Sequence, residues 1–72
     1  MKINLNIGDV LYEPLSDNTG EITKIINHPD GQLVNIRWRR EGQLHHDTEQ
    51  FHSKLVKCIK RGEIHYTPKA KP

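Results

Sequence analysis

The stretch NIRWRREGQLHH, residues 35–46, sets one tryptophan among three arginines and closes on paired histidines. A guanidinium is planar and always charged; its forked donors match the oxygens of a phosphate, and its flat face stacks on bases. Arg37, Arg39 and Arg40 are therefore candidates for contact with a nucleic-acid backbone, and Lys54, Lys57, Lys60 and Arg61 extend the set. A surface engaging about four phosphates weakens with salt at a log–log slope of roughly −0.9 per phosphate on duplex DNA. The competing reading is structural. Charge on the solvent face of a β-hairpin keeps an exposed edge from pairing with other chains.

Imidazole, thiolate and carboxylate are the zinc-ligand types, and His45, His46, Asp47, His52, Cys58 and His65 supply all three. Neighbours on a strand point to opposite faces, so His45 and His46 are not expected to reach one ion. No C-x-x-C or H-x-x-x-H pair stands at ligand spacing, and no metal or other cofactor is expected. Cys58 with His52 or His65 has the residue types of a nucleophile–base pair. Nothing in the pattern orients the base, and so short a chain has little room to enclose a substrate, so no enzyme is expected. An aromatic cage for methylated lysine or arginine needs three or four converging rings. The chain holds only Tyr12, Trp38, Phe51 and Tyr66, and the pattern assigns Trp38 and Phe51 to the core.

Positioning these residues requires a scaffold, and the chain reads as β. IGDVLYEP, residues 7–14, is a first short strand stopped by Pro14, and EITKIIN, residues 21–27, a second rich in β-branched residues. LSDNTG and HPDG carry turn chemistry. QLVNIRWRR, residues 32–40, alternates cleanly. Val34, Ile36 and Trp38 share the inward face, while Asn35, Arg37 and Arg39 share the outward one. Glu41-Gly42 makes a two-residue hairpin connection into a partner strand, QLHHDT. DTEQFHSKL reads as a single helical turn capped by Asp47 or Thr48, and VKCIK, residues 56–60, as the last short strand. The expected core is Val10, Ile22, Ile25, Val34, Ile36, Trp38, Phe51, Leu55, Val56 and Ile59.

Five short strands with one helical turn before the last, over residues 7–60, resemble the SH3-like small β-barrel, of the KOW and Tudor-like kind. The markers are the opening GDVLY, the G-x-I-x-x-I of residues 20–25, the VNIRW strand and the closing F-x-x-x-L-V-x-C-I. The resemblance implies an all-β, five-stranded barrel that binds RNA, DNA, peptides or methylated side chains; it fixes fold more than function. One plasmid-borne dihydrofolate reductase family builds its active pore from four such barrels, but its V-Q-I-Y pore strand has no counterpart here, where the segment reads LHHDT. The stretch RREG…H…F before a basic final segment is also similar to short prophage-encoded proteins of unassigned function, which implies a phage or mobile-element accessory protein.

Bulk composition sets the limits. Seventy-two residues make one domain, expected over residues 1–66 with a disordered tail at 67–72. A chain this small buries only about 60% of its unfolded surface, which favours a partner or self-association. No apolar run approaches the ~20 residues of a membrane span. The start MKINLNIGD has no secretory apolar core, and the single cysteine admits no internal disulfide, so a cytoplasmic protein is expected. The net charge of +2 is mild but polarised. From Arg37 onward stand nine basic residues (Arg37, Arg39, Arg40, Lys54, Lys57, Lys60, Arg61, Lys69, Lys71) against Glu41, Asp47, Glu49 and Glu63. The expected function is weak, non-enzymatic contact with DNA or RNA through the seven basic residues from Arg37 to Arg61. The alternative is an adaptor that uses exposed edge strands to pair with another protein or with itself as a homo-oligomer.

Overall fold

A computed structural model describes residues 3–68. The elements run β1 (Val10–Glu13), β2 (Asn18–His28), β3 (Gly31–Arg40), β4 (Gln43–Phe51), α1 (His52–Lys60) and β5 (His65–Thr67). The five strands form one antiparallel sheet in the order β4-β3-β2-β1-β5. β4 and β5 stand at its two edges; no strand pairing closes it into a barrel among the described residues.

Strand β3 is the centre of the fold and keeps the alternation of its sequence. Val34, Ile36 and Trp38 are buried and Arg37 and Arg39 exposed. Gly20 of β2 lies opposite Trp38. A Cβ there would stand 2.8 Å from Ile36 Cγ2 and from the indole carbon Cε3, so only glycine lets the ring lie this close. The indole Nε1–H donates to Thr48 Oγ1 on β4 at 2.8 Å, which satisfies a partly buried donor. Leu11, Ile22, Leu55, Leu5 and Ile64 complete the core. The β3–β4 connection is the expected tight turn, with Glu41 and Gly42 both at positive φ (52° and 79°).

Five of the ten expected core residues, Ile22, Val34, Ile36, Trp38 and Leu55, are buried; Ile25, Val56 and Ile59 pack against them half-buried. Val10 and Phe51 are corrections: both are exposed. Leu11 pairs with Gly20 and so takes the inner face of β1, which sends its neighbour Val10 outward. Phe51 shares the outer face with Leu33, its partner on β3, and meets the His28 ring edge-on at 5.6 Å.

The largest difference lies at residues 47–67. The expected cap residues Asp47 and Thr48 belong to β4, and the helix begins only at His52, with Phe51 as its N-cap. It then runs through VKCIK, read above as the last strand. Leu55, Cys58 and Ile59 fall at helical spacing on the core side. Gly62, at φ +80°, ends it: Gly62 N–H donates to the Ile59 carbonyl and Glu63 N–H to the Cys58 carbonyl, a Schellman motif that turns the chain back. This turn delivers Ile64 to the core and His65–Thr67 to β1 as the fifth strand. Thr67 thus lies in the sheet rather than in the tail expected from residue 67, and residues 69–72 fall outside the described residues.

The N-terminal segment is tied to this last strand. Asp9, 2% exposed, accepts from Asn6 N–H at 2.8 Å and from the Tyr66 hydroxyl at 2.7 Å; that hydroxyl also lies 2.9 Å from the Asn4 carbonyl. Burial, with the hydrogen bond to Asp9, pushes the Tyr66 phenol up to about 12.

Trp38→Ala should cost about 3–5 kcal/mol and Gly20→Ala about 1–3 kcal/mol. Urea unfolding followed by far-UV circular dichroism measures both, and a wild-type midpoint in either would show that the indole is not packed on Gly20. Tyr66 keeps its proton in the folded chain at pH values where the unfolded chain, near the ordinary 10, has lost it. Stability should therefore fall as pH rises from about 10 to about 12. Tyr66→Phe should flatten that part of a denaturant-midpoint-versus-pH curve.

Candidate nucleic-acid interface

The seven basic residues do not form one surface. Leu55 joins the cluster that holds Trp38, so α1 lies on the inner side of the sheet. Arg37 and Arg39 project from the opposite side. The sheet separates the two groups.

The arginine face is mixed in charge. Arg37 Nε lies 3.4 Å from Asp47 Oδ1 on β4, and Glu21 pairs opposite Arg37 from β2. The next outward pair places Asn35 between Lys24 and Glu49. Three cations, Lys24, Arg37 and Arg39, thus share the face with three carboxylates, Glu21, Asp47 and Glu49. Arg39 stands opposite Thr19 and Leu44 and is exposed. Arg40 is held at the end of the sheet, where its Nε donates to Oδ1 of the buried Asn18 at 3.0 Å.

The helix face is different. Lys54, Lys57 and Arg61 follow at intervals of three and four residues, so they line one exposed side of α1 and its cap, with Lys60 beside them. The helix, HSKLVKCIK, contains no acidic residue; Glu63, beyond its cap, lies 3.8 Å from Arg61, and Asp30 lines a cleft with His52 and Ser53 at its start. Lys57 and Lys60 in the last turn also suit the negative end of the helix dipole. These cations lie on a continuous basic stripe that the spacing in the sequence contained but that a strand assignment for residues 56–60 concealed.

Two features were not foreseen. A cleft of about 510 Å³ runs between the helix and the N-terminal segment, with Ile3, Asn4, Val56, Lys57 and Lys60 among its lining residues. And His45 and His46, expected on opposite faces, are in ring contact, with centroids 4.6 Å apart. A β-bulge explains it: β4 pairs Arg39 with Leu44 but Trp38 with His46, leaving His45 as an extra residue. His46 then stacks beside the Trp38 indole at 6.4 Å. Among the described residues no three His, Cys, Asp or Glu side chains converge on a point that suits a metal ion. Cys58 is half-buried on α1, and His65 meets Tyr12 at 6.0 Å. No helix among the described residues is long and apolar enough to cross a membrane.

No protein family, no curated protein and no solved structure matches this chain.

The two polar ties of β4 should respond unequally. Thr48→Val strands the indole N–H and should cost about 1–3 kcal/mol. Asp47→Ala removes only an exposed pair and should cost under about 1 kcal/mol. Chemical denaturation of both variants checks this ordering.

Proposed function

We propose that this chain is a small non-enzymatic accessory protein that contacts nucleic acid through phosphates, using Lys54, Lys57, Lys60 and Arg61 on α1 as its main surface. The observation that carries the reading is the helix itself, a row of exposed cations with no acidic residue along it. Arg37, Arg39 and Arg40 take a lesser part, because carboxylates and Asn18 already engage their neighbourhood. The affinity is modest, since only a few phosphates are neutralised and the net charge is +2.

The strand order β4-β3-β2-β1-β5, with a helix leading into the last strand, supports an SH3-like relationship, with the barrel opened between its edge strands. The RREG…H…F stretch supports a phage or mobile-element origin, and the lone Cys58 a reducing cytoplasm.

A second reading has its own observation. β4 is a nine-residue edge strand with Leu44 and Phe51 exposed, which suits pairing with another protein or with a second copy. Salt-insensitive self-association on a sizing column would favour it.

Lys54→Glu with Lys57→Glu should abolish retention on heparin and on immobilised DNA, whereas Arg37→Glu should lower the eluting salt only slightly. Equal losses from the two faces, or no loss from the helix pair, would remove the helix as the contact surface.

A further inference from the structure

Resting on the reading of α1 as a phosphate-binding face, we propose that the groove beside this helix takes a single strand of nucleic acid with its bases turned in, and not the outside of a duplex. The cleft of about 510 Å³ is continued by a second of about 220 Å³, and the two share Gln32, His52 and Ser53. Together they run from the β2–β3 turn, past the start of α1, to the Ile3–Asn4 segment.

The lining has the chemistry of a nucleotide in three parts. Half-buried Ile3 and Val56 offer apolar contact to base faces in the first cleft, and the ring of Phe51, on the outer face of the sheet, borders the second. Asn4, Gln32 and Ser53 are exposed and carry donors and acceptors for base edges. Lys57 and Lys60 stand about 4.5 Å apart along the helix axis, at the rise of ~1.5 Å per residue, and supply the charge for the backbone. Asp30 lines the second cleft beside the start of α1, so the backbone charge is taken up at the Lys57–Lys60 end of the groove.

Geometry separates strand from duplex. Leu55 is fully buried and Val56, Cys58 and Ile59 pack beside it, so one side of α1 is taken up by the core and does not stand free as a helix entering a major groove about 12 Å wide must. A duplex resting on α1 would touch the lysine heads alone, because its bases are stacked and their faces covered. Only an unpaired strand can turn a base toward Ile3 and Val56.

The test uses the full chain and fluorescence anisotropy with three labelled probes of equal length: oligo(dT), a fully abasic strand and a duplex. Oligo(dT) should bind at least tenfold more tightly than either of the others. Gln32→Leu, an exposed, charge-neutral change off the helix, should weaken oligo(dT) several-fold and leave the abasic strand unchanged. Equal binding of oligo(dT) and the abasic strand, or a duplex bound as tightly as oligo(dT), would overturn the groove while leaving the basic helix face intact. If none of the three probes binds, the phosphate-binding reading fails and the groove proposal falls with it.

Discussion

The placement of one indole governs most of this structure. Trp38 lies on Gly20, beneath which no larger residue fits, and its N–H is satisfied across the next strand by Thr48. That second contact depends on the bulge at His45. The turn at Glu41-Gly42 pairs Arg40 with Gln43, and an unbroken ladder from there would put Thr48 on the outer face opposite Asn35. The extra residue shifts the register by one, which moves Thr48 inward and Asp47 outward. A single irregularity therefore completes the inner core and neutralises part of the outer face at the same time.

The same shift divides the electrostatics. By composition the second half of the chain is basic, yet the sheet sets carboxylates from β2 and β4 on both sides of Arg37. Charge left over is found on α1, which carries no acidic residue of its own. Net charge and even its polarisation along the sequence describe this poorly, because strand register and not chain order decides which charges face one another.

Much of the fold could be read from residue patterns. Period two in β3 identified its inner and outer faces, and the Glu41-Gly42 turn was visible because a glycine, which accepts positive φ freely, stands between two strand-like runs. The segment at residues 52–60 was ambiguous in a physical sense. Leu55, Lys57 and Ile59 alternate as in a strand, while Leu55, Cys58 and Ile59 also fit a helix. The deciding signal was Gly62, placed where a helix needs a left-handed residue to stop. Leu5 and Ile64 stood in polar surroundings, and only the reversal at Gly62 and the anchoring of the N-terminal segment bury them. The basic stripe was present in the spacing from Lys54 to Arg61 but had no meaning until those residues were known to be helical.

The bond between Tyr66 and Asp9 joins positions 57 residues apart, and β5 completes the sheet beside β1. Such closure over a long separation is slower than closing a local hairpin, since the loop entropy must be lost before the contact rewards it. On the ribosome the central hairpins can form early, but β1 keeps an open edge until His65–Thr67 have been made. A chain lacking β5 would therefore present β1 as a bare flank of the sheet and remove the Tyr66 hydroxyl from Asp9.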